Sequence, residues 1–281
     1  MRIDHALAEA RARLTASPTA RLDSELLLAR VLGGRRTWLH AWPEVQLDPT
    51  QAARFEALIA RRAAGEPVAY LLGEREFYSL VFEVTPDVLI PRPETELLVE
   101  AALEMLGSGA KRPRVLDLGT GSGCIAIALA RARPDARVTA VESSAAALEL
   151  ARGNAARHGA DGLEWLHGAW FEPVAGRRFD AIVANPPYVA SADPHLDAGD
   201  VRFEPRAALD GGPDGLDALR AIALEAPKHL IPGGWIAVEH GAEQGDAVAG
   251  LFAQAGLSAI EGIRDAAGLS RVTMARATWS T

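Results

Sequence analysis

The sequence predicts an α/β chain: a doubly wound, largely parallel sheet preceded by a small helical domain. Three observations carry this. From Arg114 onward, short apolar runs at 114–118, 137–142, 164–167 and 179–184 alternate with helical patterns, the rhythm of a parallel sheet covered by helices. The first run ends in a glycine-rich turn, Gly119-Thr120-Gly121-Ser122-Gly123, that opens a helix. Ahead of Gly73, leucines recur at helical spacing.

Taken in order, Leu7, Leu14, Leu22, Leu26, Leu27, Leu28, Val31 and Leu32 mark helices interrupted at Ser17-Pro18 and Gly33-Gly34. Phe55, Leu58 and Ile59 mark another, which Gly65-Glu66-Pro67 ends. Residues 73–85 have the β-branched and aromatic content of two short strands, a hairpin linking the domains. A helix is expected from Thr95 to Leu106, after which Gly107-Ser108-Gly109 loosens the chain. Strand 114–118, helix Cys124–Arg133, strand 137–142, helix Ala145–His158 and the strands at 164–167 and 179–184 follow. Trp235–Glu239 and the runs near 257–263 and 271–275 complete the sheet. The stretch from Val189 to Gly212, rich in Pro, Asp and Ala, reads as a lid or substrate loop. The expected domains are residues 1–72, a hairpin linker over 73–92, and 93–281.

Bulk properties narrow the function classes. With 281 residues, 49% of them hydrophobic, the chain can bury a core as one large or two modest domains. No apolar run approaches the roughly 18 residues needed to cross a bilayer. Met1 to Leu14 mixes Asp4 and Glu9 with arginines and lacks the apolar block of a secretion signal, so a cytoplasmic protein is expected. The single cysteine, Cys124, excludes an intramolecular disulfide, and the 7 histidines show no metal-ligand spacing. Residues 1–80 hold 11 Arg against 10 acids, whereas the remainder carries 18 basic and 27 acidic residues. That acidic excess gives no sign of the basic footprint a nucleic-acid clamp requires.

Two motifs carry chemistry. Asn185-Pro186-Pro187-Tyr188 follows the apolar run ending at Ala184. An Asn side chain offers an acceptor and a donor, a proline presents only its carbonyl, and a Tyr ring offers a flat apolar face. Together they can hold a planar NH2 group, although Asn-Pro-Pro also occurs as an ordinary turn. The glycine loop is the second. Its spacing is G-x-G-x-G: the dinucleotide fingerprint would need glycine at 124, which is Cys124, and no triphosphate-binding G-x-x-x-x-G-K pattern is present. Glu142 closes the second strand where such sheets grip ribose hydroxyls, or else it caps the following helix. The glycine loop, Glu142 and Asn185 all fall at strand ends on the side where these sheets bind ligands.

These elements, in this order, resemble the S-adenosylmethionine-dependent methyltransferases with a seven-stranded sheet. Within them the chain is most similar to the protein-(glutamine-N5) methyltransferases that modify peptide-chain release factors. The resemblance extends to Leu89-Ile90-Pro91-Arg92-Pro93-Glu94-Thr95-Glu96, Phe203-Glu204-Pro205, Asp214-Gly215-Leu216, and Arg264-Asp265 with Arg271. It implies a seven-stranded doubly wound methyltransferase sheet and a helical N-terminal domain that recognises substrate. It also implies methylation of the glutamine side-chain nitrogen in a Gly-Gly-Gln motif, hence protein methylation in translation termination.

By the same resemblance, S-adenosyl-L-methionine would be held by Gly119, Thr120, Gly121, Ser122, Gly123, Glu142, Trp170 and Asn185. The substrate amide would meet Asn185, Pro186, Pro187 and Tyr188, with Asn185, Pro186 and Tyr188 catalytic. Trp170 would cover the adenine or serve as a core aromatic, and Asp117 would support the loop through backbone hydrogen bonds. Arg92 and Glu94 would close over cofactor or release factor, or form an interdomain ion pair. No metal, no direct nucleic-acid partner and no membrane are expected. Two other readings remain open at this point: methylation of an exocyclic amino group in RNA or DNA, and a catalytically silent cofactor-binding adaptor.

Overall fold

The computed structural model describes residues 1–107 and 112–278, so the expected loosening at Ser108-Gly109 lies outside the described residues. The chain divides into two compact units, Met1–Glu74 with Asp197–Phe203, and Arg75–Leu196 with Glu204–Thr281.

The first unit contains α1 (Ile3–Arg13), α2 (Ala20–Leu32), α3 (Arg36–Ala41), α4 (Pro49–Ala63) and α5 (Val68–Leu72). Its helix ends follow local chemistry. Gly33 takes a left-handed conformation that stops α2, and α4 opens with a capping box in which Asp48 and Gln51 satisfy each other's backbone N–H, with Pro49 at the first turn. Ile3, Leu7, Leu27, Leu28, Phe55 and Ile59 form the core. Leu22, expected in the apolar series, instead lies exposed. Glu25 is fully buried and accepts hydrogen bonds from Arg21, Arg36 and Arg11. Burial alone would push its pKa up, but the bonds from Arg36 and Arg21 hold it at about 2.

A hairpin follows, β1 (Glu74–Phe77), whose first residue ends the first unit, and β2 (Leu80–Glu83), joined by Tyr78 and Ser79, both at positive φ as a tight two-residue turn requires. After α6 (Glu96–Leu106) come β3 (Arg114–Leu118), α7 (Cys124–Ala132), β4 (Arg137–Glu142), α8 (Ala145–Arg157), β5 (Glu164–His167) and β6 (Phe179–Ala184). Three 3₁₀ turns, at Pro194–Asp197, Val201–Phe203 and Arg206–Ala208, shape the expected loop. The chain ends through α9 (Asp217–His229), β7 (Leu230–Glu239), α10 (Gly245–Gln254), β8 (Leu257–Arg264) and β9 (Ser270–Ala277).

The seven strands of the large sheet run in the order β5-β4-β3-β6-β7-β9-β8, parallel from β5 to β7 and antiparallel at β9 and β8. Strand alternation distributes the core over both faces. Val115, Ala181, Val183 and Ala237 join α6 and α7 on one side, while Leu116, Leu118, Ile182 and Val238 join α9 and α10 on the other. Among the described residues no helix is long and apolar enough to cross a membrane.

The strand order reverses between β3 and β6, and ligands of such sheets bind at that crevice. Register aligns its rim. Val141, Leu118, Ala184 and Val238 stand side by side across β4, β3, β6 and β7. Glu142, Gly119, Asn185 and Glu239 therefore leave the sheet in one row.

Candidate active site at the carboxyl rim of the sheet

Above this row lies a cavity of about 320 Å³, within the size range of small-molecule sites. Gly119, Thr120, Gly121, Ser122, Glu142, Trp170, Asn185, Pro186 and Pro187 all line it. The structure thus brings together most of the residues singled out in the sequence. Gly123 and Tyr188 are outside the lining.

Backbone and acid position the glycine loop jointly. Gly119 and Thr120 donate their N–H groups to the Val141 carbonyl at 2.9 and 3.1 Å, and Gly121 donates to Glu142 Oε2 at 2.9 Å. Glu142 Oε1 accepts from the Ser144 N–H at 2.8 Å. One carboxylate therefore ties the loop to the start of α8 while still lining the cavity. A carboxylate has about four lone-pair sites, so capacity remains for a ligand hydroxyl.

Gly123 serves packing. At φ +82° it precedes α7, and a Cβ there would stand 3.0 Å from Ile127 Cδ1, 3.1 Å from Ala151 Cβ and 3.2 Å from Trp165 Cη2. Its bare α-carbon lets the start of α7 approach α8 and β5. Asp117, fully buried beneath the loop, accepts from the Thr120 hydroxyl at 2.5 Å, and its other oxygen has no partner. It supports the loop through the Thr120 side-chain hydroxyl, where the sequence reading expected backbone hydrogen bonds. Burial, aided by the Glu142 charge, pushes its pKa up from an ordinary 3.8 to about 7. The Cys124 thiol is also buried and raised to about 12, which makes it an inert packing residue rather than a nucleophile.

Trp170 sits at φ +47°, unusual for a bulky residue, and its ring edge approaches Gly119. Strained backbone of this kind persists where surrounding structure holds it and clusters at ligand sites. Arg92 also lines the cavity, but it pairs with buried Glu204, which in addition accepts the Ile90 N–H at 3.0 Å. Both belong to the second unit, so Arg92 forms an internal clamp of that unit and is not paired with Glu94.

Sequence reasoning missed three contributors. Asn185 Nδ2 donates to Thr95 Oγ1 at 3.2 Å, which leaves Asn185 Oδ1 as the group free to accept. The Tyr188 hydroxyl donates to Glu239 Oε1 at 3.2 Å. Burial first, and then the Glu239 charge, push the tyrosine pKa up. Glu204 is the third. Thr95 and Glu204 lie within quoted motifs, and Glu239 shares with Glu142 a readable signature, an acid that closes a buried strand.

Residues 5–73 match the PrmC N-terminal domain model and residues 93–204 the methyltransferase small domain model. A release factor glutamine methyltransferase of Bordetella pertussis is 52% identical over 90% of this chain and 93% of its own. The Salmonella typhimurium protein of the same name is 46% identical over 99% and 100%. The chain belongs to the release factor glutamine methyltransferase family. Among solved structures, a T. thermophilus 16S rRNA N2 methyltransferase in complex with AdoMet and guanosine is similar at 25% identity with TM-score 0.54, over 73% of this chain and 49% of that one. Sheet order and family membership agree with the fold expected from the sequence.

Proposed function

We propose that this release factor glutamine methyltransferase transfers the methyl group of S-adenosyl-L-methionine to the glutamine side-chain nitrogen in the Gly-Gly-Gln motif of peptide-chain release factors. The observation that carries this is the shared cavity: the glycine loop, Glu142 and Trp170 on one wall, Asn185 and Pro186 on another. The lining fits the cofactor's chemistry. Glu142 can accept from a ribose hydroxyl, Trp170 offers a flat face to adenine, and Gly119 to Ser122 allow close backbone approach around the methionine portion. When bound, the sulfonium supplies an already activated methyl.

The chain's own residues then have a positioning task. Asn185 Oδ1 and the Pro186 carbonyl accept the two amide hydrogens, which aims the nitrogen and favours the positive charge that develops on it. Tyr188, outside the cavity lining and anchored by its hydroxyl on Glu239, keeps the proposed role of an aromatic surface against the bound glutamine. The nitrogen–carbon bond forms as the carbon–sulfur bond breaks, and the surplus amide proton leaves to water. Holding three atoms in line can contribute on the order of 7–11 kcal/mol, so no nucleophile–base pair is required.

We assign substrate recognition to the N-terminal region, residues 1–72. Trp38 and Trp42 are exposed there, and aromatic residues are enriched among interface anchors. Residues 73–92 are assigned as linker and 93–281 as the cofactor-binding domain. We place the protein in the cytoplasm, where release factors act.

The experiment offers labelled S-adenosylmethionine with a release factor, bulk RNA and DNA, and locates the label by mass spectrometry. Label on the Gly-Gly-Gln glutamine supports the proposal. Label on nucleic acid would favour exocyclic-amino methylation, and cofactor binding without label anywhere would favour the silent adaptor.

A further inference from the structure

Glu239 closes β7 one residue beyond Val238, level with Asn185, the residue that follows the neighbouring β6. Its side chain is buried, 2% exposed. Oε1 accepts from the Tyr188 hydroxyl, and the other oxygen receives no hydrogen bond from the described residues. Thr95 stands beside the carboxylate, where its hydroxyl can donate, and the same hydroxyl oxygen accepts from Asn185 Nδ2.

Polarity follows from this arrangement. An ionised carboxylate only accepts, whereas a threonine hydroxyl has one proton and spare lone pairs. With the Thr95 proton given to Glu239, its oxygen is left to accept from the Asn185 NH2 group. The Asn185 carbonyl is thereby turned toward the cavity. A donor in place of Glu239 would let Thr95 point its proton at Asn185 instead, and the amide would present NH2 to the substrate.

We propose that Glu239 is a positioning residue for methyl transfer: through the Thr95 and Tyr188 hydroxyls, its carboxylate sets which end of the Asn185 amide faces the substrate nitrogen. This rests on the role given to Asn185 above. Leaving a buried carboxylate oxygen without a firm partner is costly to the fold, so a reason beyond packing is required.

The charged groups around Glu239 fit this role. Burial raises its pKa, the charge of Glu94, the residue before Thr95, adds to that, and Arg271 on β9 opposes it. Arg271 itself is bonded to Asp265 at 2.8 Å. The adjacent His240 is held below its usual pKa by burial and spans Thr273 and the Gly241 carbonyl. The Cys124 thiol on α7 feels the same carboxylate.

The test measures kcat and KM for cofactor and release factor in Glu239→Gln, Thr95→Val and Thr95→Ser. Glu239→Gln and Thr95→Val are expected to lower kcat by about tenfold or more while cofactor KM stays within about twofold, and Thr95→Ser should restore turnover. Combining Glu239→Gln with Thr95→Val should cost no more than either alone, because both break one relay. Wild-type kcat should fall with decreasing pH through a group titrating above the ordinary carboxylate range, and Glu239→Gln should lose that limb.

Wild-type kcat in both Glu239→Gln and Thr95→Val, with Asn185→Ala inactive, would overturn this inference alone. An active Asn185→Ala would overturn the role of Asn185 itself. If Glu239→Gln does not fold, the Thr95→Val and Thr95→Ser pair with the wild-type pH profile decides, and equal turnover in both with a flat profile would overturn the inference.

Discussion

Asp117→Asn should make the protein relatively more stable as pH rises. Asp117 is fully buried, one of its oxygens is unpartnered, and its pKa rises from 3.8 to about 7 on folding. The sign is that of a raised acid: the folded state binds the proton more tightly than the unfolded chain. Stability from this group is complete below the unfolded pKa and is lost as pH rises through about 7. At pH 5 the folded carboxyl is almost wholly neutral, while at pH 8 it is largely ionised in a dry site. Between those two conditions the linkage relation gives a loss of about 2–3 kcal/mol. Asparagine removes the titration while its carbonyl can still accept from the Thr120 hydroxyl. Urea unfolding of both proteins at the two pH values should show the mutant gaining about 2–3 kcal/mol on wild type from pH 5 to pH 8. A mutant–wild-type difference that is the same at both pH values would mean that Asp117 does not change its protonation on folding.

Asn185→Ala should leave cofactor affinity by calorimetry nearly unchanged and cut kcat roughly 10²–10³-fold, the cost of one transition-state hydrogen bond; an equal loss of cofactor affinity would mean that Asn185 serves the cofactor instead. Gly123→Ala should destabilise by about 2–4 kcal/mol in thermal or urea unfolding, since a Cβ at φ +82° meets Ile127, Ala151 and Trp165 at 3.0–3.2 Å. Glu25→Gln should cost about 1–3 kcal/mol at neutral pH, a range that allows for solvent screening of its half-exposed arginines. Because the Glu25 pKa is depressed, that difference should shrink as pH falls from 4.5 toward about 2.

Much of the catalytic unit was legible because its strands are buried on both faces and bounded by turns. The runs 137–142, 164–167 and 179–184 are strands with those limits in the structure. The short helices α3 and α5, of 6 and 5 residues, offer too little length for periodicity to register. Neither α9 nor α10 stood out: α9 contains Pro227, and α10 starts at Gly245 and includes Gly250. The site divides along similar lines. Gly119, Glu142 and Asn185 are strand-end residues, visible from position alone. The bond between Asn185 and Thr95 joins residues 90 positions apart, and no local pattern encodes it. Gly123 was legible as part of a glycine loop, but its contact with Ala151 and Trp165 depends on how α7 packs.

Methyl transfer here requires a sulfonium carbon and a glutamine nitrogen to meet in the cavity above β3 and β6. A crystal structure of the protein with S-adenosylhomocysteine and a Gly-Gly-Gln peptide tests it most directly. The thioether sulfur should lie beside the Gly119–Ser122 turn, and the glutamine nitrogen within hydrogen-bond reach of both Asn185 Oδ1 and the Pro186 carbonyl. A glutamine amide bound away from Asn185, or a thioether lodged outside the cavity that Trp170 and Glu142 line, would contradict it.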